Sequence, residues 1–383
     1  MTTTNQITKE AQMKFAETFP PGDFLKEELE ARNWNQTELA EIIGRPVKMV
    51  NELILGKRAI TPETAVQLGD ALGTGPELWM NLESQYQLSK VARAGNAVAR
   101  KAKLYERFPV REMIKRRWVG AADSIDVLEQ QFLSYFGLPS IDDPLPVPAH
   151  AAKKSSDEVT ALQLAWLIAA RRLALTVMVP RYQPASLRAA LPRLHALMSA
   201  PEEARHVVRL LNGCGVRFVV VEALPSSKID GACFWLEGGQ PAIAMSTRLD
   251  RIDNFWFVLR HELEHVLCEH GKNESMIFDE DLSDENAEGQ VEEERVANDA
   301  ASVFPFSRAE FDGYIARVKP YYFSEQKVLN FAGRLGVHPG IVVGKLQRRF
   351  DEYKYLRLHL VKTRQIVIQS VPHDGWGTSN IEA

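Results

Sequence analysis

Cysteine is scarce in this chain of 383 residues: there are three, Cys214, Cys233 and Cys268, an odd count without paired spacing. That excludes a disulfide framework and a cysteine-built zinc site, and points to a reducing compartment. Long apolar runs are also missing. The longest, around residues 161–170, stops at Arg171-Arg172, well short of the roughly 20 residues a membrane span needs. The opening residues, Met1-Thr2-Thr3-Thr4-Asn5-Gln6, lack the basic-then-apolar order of a signal peptide. A cytoplasmic protein without a membrane partner is therefore expected. Charge of one sign is not in excess either: the net charge is -4, which leaves partners open because local distribution governs binding. With 45% hydrophobic and 25% charged residues, the composition is that of an ordinary globular protein. At about 150 residues per domain, two or three domains are expected.

The most informative stretch is His261-Glu262-Leu263-Glu264-His265. It lies in a segment where Ile252, Trp256, Leu259, Leu263, Val266 and Leu267 repeat at helical spacing, so the helix is buried. Residues four apart share a helix face, and His261 and His265 therefore offer two imidazoles to one metal ion. Glu262 stands between them as the proton acceptor for a water activated by that ion. The competing account, two solvated histidines on a polar face, conflicts with the apolar neighbours, because buried imidazoles need partners.

A catalytic zinc site takes three protein ligands and leaves a position for water. The metzincin pattern would need Gly at position 268 and His at 271, where this chain has Cys268 and Gly271. His270 is one residue off and reads as a cap on the helix C-terminus, where the dipole favours it. Downstream, Glu292-Glu293-Glu294-Arg295-Val296-Ala297-Asn298-Asp299-Ala300-Ala301 reads as a second helix, with alanines that permit close approach. A carboxylate from that helix would complete a His-His-Glu set, but periodicity does not separate Glu293 from Glu294. The element Glu294-Arg295-Val296-Ala297-Asn298 resembles the E-x-x-A-N element that follows H-E-x-x-H in the ImmA/IrrE family of metallopeptidases. That resemblance implies Glu294 as the third zinc ligand. It also implies a protein substrate, often a repressor, cut at one site with Glu262 as the catalytic base. Tyr314, Tyr321 and Tyr322 are candidates to steady the oxyanion, and the sequence does not choose among them.

Near the N-terminus, Asn35-Gln36-Thr37-Glu38 fits a capping box. Gly44 supplies a tight turn, and Pro46 suits the first position of the next helix. In that helix Val50, Leu53 and Ile54 face inward and Lys48, Asn51 and Glu52 outward. Two short helices around a glycine turn read as helix-turn-helix. Thr61 and Pro62 open a helix that stops at Gly73. A last one near Leu78, Trp79 and Leu82 completes five. Residues 20–85 resemble the Cro/CI-type (XRE) helix-turn-helix, and its HigA antitoxin branch, in Gly44-Arg45-Pro46 and in Gly56-Lys57-Arg58-Ala59-Ile60-Thr61-Pro62-Glu63-Thr64-Ala65. The resemblance implies double-stranded DNA as partner, and the chain could bind it as a homodimer on a palindrome. Gln36 and Thr37 would then touch backbone, Lys48 and Asn51 base edges, and Lys57 and Arg58 phosphates. The mixed charge of this segment keeps open a module that has lost DNA affinity.

Residues 89–120 are basic, read either as a solvated connecting helix or as extra contact with nucleic acid or with the acidic stretch at 274–294. A proline-rich linker follows a helix around 126–136. Helices are expected at 162–175, 184–198 and 201–211, a strand at 216–221, and a glycine-turn hairpin between 232 and 246. Residues 274–288 read as a mobile surface loop, and 371–383 as a disordered tail. Leu335-Gly336-Val337-His338-Pro339-Gly340 again has helix-turn-helix shape, with a structural role in the peptidase domain implied by the family resemblance. The expected fold is α+β and mostly helical. A five-helix DNA-binding domain (1–88) and a basic connector with linker (89–156) precede a zincin-like peptidase domain with a small β-sheet (157–370). The expected function is a DNA-binding, regulatory zinc metalloendopeptidase. The alternative is a helix-turn-helix regulator or antitoxin whose peptidase-like domain senses a ligand without cutting.

Overall fold

A computed structural model describes residues 19–90, 96–146, 159–272, 277–280, 292–318 and 324–375, the strand at 277–280 by its backbone only. The chain falls into two units, Met1–Asn96 and Ala97–Ala383.

The first unit is five helices: α1 (Pro21–Arg32), α2 (Gln36–Ile42), α3 (Val47–Ile54), α4 (Pro62–Leu72) and α5 (Pro76–Lys90). The capping box at the start of α2 forms. Asn35 Oδ1 accepts from the amides of Thr37 and Glu38, and Glu38 accepts from the Asn35 amide at 2.7 Å, a cap worth about 1 kcal/mol. Gly44 turns the chain at φ +65°, and Pro46 stands one residue earlier than expected, as the N-cap of α3. Leu25, Leu39, Val50, Leu68 and Trp79 close the core with Leu53. Each fully buried leucine there contributes roughly 1.5–3 kcal/mol.

The second unit is a five-stranded sheet between helical layers. Its strands are β1 (Arg217–Val221), β2 (Ile229–Leu236), β3 (Gln240–Met245), β4 (Ile277–Glu280) and β5 (His373–Asp374), in the order β4-β2-β3-β1-β5. The β2–β3 hairpin is antiparallel, as is β2–β4, whereas β1 runs parallel to β3 and β5. Strand alternation divides the faces. Phe218, Val220, Cys233 and Ile243 point into one core; Val219, Val221, Ala232 and Phe234 point into the other.

Helices α6 (Ala97–Arg107), α7 (Val110–Lys115), α8 (Ile125–Phe136) and α9 (Ala161–Leu175) build the second of these cores. The basic segment thus differs from a solvated connector. Leu104, Phe108 and Met113 are buried with Phe132 and Phe136, and two of its cations are used locally. Arg100 pairs with Asp126 and Glu129, and buried Arg116 donates to the carbonyls of Glu222 and Ala223. Charge composition alone misreads such a segment because its apolar residues are spread along the helices.

The opposite face carries α10 (Pro184–Ala196), α11 (Val207–Gly213), α12 (Ile252–Leu267), α13 (Glu292–Val303), α14 (Arg308–Val318), α15 (Glu325–Leu335), α16 (Pro339–Phe350) and α17 (Arg364–Ile368). His338 is the N-cap of α16. Two expectations change here. Part of the acidic loop forms β4 on the outer edge of β2. The tail is ordered to Gly375: Val371 is buried, and β5 satisfies the edge of β1 through Val220 N–H to Pro372 O. An open strand edge is a row of unmet donors and acceptors, which explains why the tail binds there. Residues 147–156 of the expected linker, 274–276 and 281–288 of the acidic loop, and 376–383 of the tail lie outside the described residues.

Candidate metal centre

The α12 helix is buried almost throughout, between the sheet, α13 and α16. Asp253 in its first turn binds Arg251 at 2.8 Å, with Arg348 at 3.6 Å, a carboxylate where the helix dipole favours one. On α13 the buried residues are Glu294, Ala297, Asn298 and Ala301, a single face at i, i+3, i+4 and i+7. Ala297 and Ala301 present only methyl groups, which lets α13 lie close against α12.

This packing brings His261, His265 and Glu294 together, each 1% exposed or less. Their ligand atoms all lie within 4.8 Å of one another. The two Nε2 atoms are 3.0 Å apart, and the Glu294 oxygens stand 3.3 Å from His261 and 3.5 Å from His265. Donors about 2.0–2.1 Å from a tetrahedral ion stand roughly 3.3–3.4 Å from each other, so the set fits a zinc-sized ion. Burial, and then the neighbouring His261, push the His265 imidazole down to about 3, so it is neutral at physiological pH, the form that ligates. On the far side of His261, Nδ1 meets Asn298 Oδ1 at 3.0 Å. An amide oxygen only accepts, so Nδ1 carries the proton and Nε2 keeps its lone pair toward the cluster.

Glu262 is fully buried beside these groups. Its carboxylate lies against Gly231 of β2, where an added methyl would stand 2.9 Å from the Glu262 carboxyl carbon and nearer still to an oxygen. Glu264 turns away and pairs with Arg260 at 2.7 Å. Of the acidic run, Glu292 is exposed and pairs with Arg295, and Glu293 is half-buried. Tyr314 is buried with its ring stacked on Phe331 at 4.2 Å, and burial raises its phenol to about 12. Tyr321 and Tyr322 lie outside the described residues. His270 departs from a capping side chain: its amide caps the helix, whereas its imidazole turns back to His265. Sequence reasoning gave Asn298 no role, although it lies one helical turn beyond Glu294. Nor did it find Gly231, whose partner is 31 residues away in the chain.

In the first unit Lys48, Asn51, Lys57, Arg58 and Thr37 are exposed and Gln36 is half-buried. Glu52, assigned outward, is partly covered. It holds Arg58 at 2.8 Å, with Lys48 at 4.0 Å.

Residues 25–79 match the helix-turn-helix family, and residues 216–347 match the IrrE N-terminal-like domain of peptidase family M78. The HTH-type transcriptional regulator YddM of Escherichia coli K12 is 32% identical over 81 residues, 21% of this chain and 86% of that protein. Virulence-associated protein A' of Dichelobacter nodosus is 35% identical over 72 residues, 18% of this chain, which spans 63% of that protein's length. A Pseudomonas aeruginosa protein solved with its operator DNA is 29% identical, covering 20% of this chain and 84% of its own, with a TM-score of 0.20. No helix among the described residues is long and apolar enough to cross a membrane. The chain belongs to the DNA-binding helix-turn-helix regulators of XRE type, and carries an IrrE-like domain of peptidase family M78 as its second module.

Proposed function

We propose that the second unit is a zinc-dependent metalloendopeptidase that cuts a peptide bond in a protein substrate, a transcriptional repressor, and that the first unit directs it to DNA. The observation that carries this reading is the buried convergence of His261, His265 and Glu294 beside Glu262. His261, His265 and Glu294 would hold the metal. When bound, a zinc ion polarises a carbonyl and acidifies a water. Glu262 takes the proton of the attacking water and passes it to the leaving amine. Its place against Gly231 keeps the carboxylate beside β2, and burial excludes the bulk water that would weaken its interactions. In the first unit Gln36 and Thr37 contact the DNA backbone, Lys48 and Asn51 read bases in the major groove, and Lys57 and Arg58 neutralise phosphates.

The test compares cells producing the parent chain with cells producing Glu262→Gln, mapping new protein N-termini by mass spectrometry. A repressor fragment present only with the parent is expected. Identical N-termini in both, with operator binding intact in both, would sink the enzyme reading and leave a regulator with a non-cutting sensor module.

A further inference from the structure

The α12 helix ends in a Schellman turn. The His270 amide donates to the His265 carbonyl at 2.9 Å, and the Glu269 amide to that of Val266 at 3.2 Å, the two hydrogen bonds of this motif. Glycine usually takes the left-handed residue, and an apolar pair usually closes the turn. Here Glu269 takes it, at φ +56°, and the closing pair is two imidazoles. His265 Nδ1 and His270 Nδ1 are 2.9 Å apart, their rings 5.1 Å between centroids. The turn is tied to the sheet, since the indole N–H of Trp235 on β2 donates to the His270 carbonyl at 2.7 Å.

Two ring nitrogens at that distance share one proton, so one donates and the other accepts. The opposite nitrogen of His265, Nε2, is the atom that faces His261 and Glu294. A ligand there must keep a lone pair on Nε2, which requires the proton on Nδ1. His270 then accepts through Nδ1 and carries its own proton on Nε2. His270 lies on the side of the imidazole away from the cluster, which excludes it as a ligand in this arrangement.

We propose that His270 is a positioning residue that sets the tautomer and ring orientation of His265, as Asn298 does for His261, with Trp235 anchoring it to β2. This rests on the metal reading above. Neither acceptor, an amide or an imidazole, adds negative charge beside the buried Glu262 and Glu294.

Zinc affinity is measured on the full chain by competition with a chromophoric chelator, for the parent, His270→Ala, His270→Asn and His265→Ala. Asparagine places an acceptor oxygen where the histidine has Nδ1. His270→Ala is expected to weaken zinc binding about 10–100-fold, and His270→Asn to restore it to within a few-fold. Cobalt-substituted His270→Ala should show a shifted visible absorption band. Nitrogen-15 spectra of the unaltered zinc-loaded chain should find His265 protonated on Nδ1 and His270 on Nε2, a readout that stands even where the alanine variant does not fold. Parent-like zinc affinity in His270→Ala, or His270 protonated on Nδ1 in the zinc-loaded chain, overturns the inference and leaves the metal site standing. Parent-like affinity in His265→Ala overturns both.

Discussion

Gly231 on β2 has no side chain because the carboxylate of Glu262 occupies that space: a methyl group there would lie 2.9 Å from the Glu262 carboxyl carbon and 3.0 Å from Val258 Cγ1. The strand and the helix are thereby matched at the residue proposed as general base. Gly231→Ala should push the carboxylate away, and a displacement of about 1 Å is enough for roughly a 100-fold loss of rate. Overpacking should also cost about 1–3 kcal/mol in urea denaturation. Zinc affinity should stay within a few-fold, since the three proposed ligands are untouched. A fully active variant of parent stability would show that Glu262 has room to move.

Metal removal should be visible as lost stability. An ion bound only by the folded chain at about 100 times its Kd stabilises by roughly 2.7 kcal/mol, or about 5–10 °C in Tm for a unit of this size. Chelator should lower the Tm of the parent by that amount, and zinc should restore it. His265→Ala and Glu294→Ala should show no zinc-dependent shift. A chelator-insensitive parent speaks against a resident ion.

Asn298 is bonded to His261 at 3.0 Å from the same helix face as Glu294. Replacing it with alanine frees the His261 ring and its tautomer. Asn298→Ala should lower zinc affinity about 10–100-fold, while Asn298→Asp, which retains an acceptor, should bind more tightly than the alanine variant. Equal affinities for the three chains would assign Asn298 to packing alone.

On α3, Glu52 holds Arg58 at 2.8 Å and Lys48 at 4.0 Å, two of the cations proposed to meet DNA. Glu52→Gln should release both. Operator affinity should rise several-fold, and the slope of log K against log salt should steepen by about one for each newly made phosphate contact. An unchanged slope in a fluorescence-anisotropy titration would mean that Arg58 already leaves Glu52 when DNA binds.

Local chemistry along the chain accounts for a good deal of this protein. The capping box at Asn35 and Glu38, the glycine turn at Gly44 and the Thr61-Pro62 helix start each depend on residues within four positions of one another, so composition and spacing express them directly. The same holds for the pairing of His261 with His265, which only a helix of 3.6 residues per turn makes adjacent. Other relationships depend on contacts between distant segments. Packing of α12 against α13 selects the buried Glu294 over the half-buried Glu293; packing against β2 sets Gly231 under Glu262. The same long-range packing draws the basic helices of 97–115 and the tail at 373–374 into the second unit. Residues far apart in the chain leave no periodic trace of such contacts, because burial and hydrogen-bond satisfaction are settled only when the sheet and both helical layers close together.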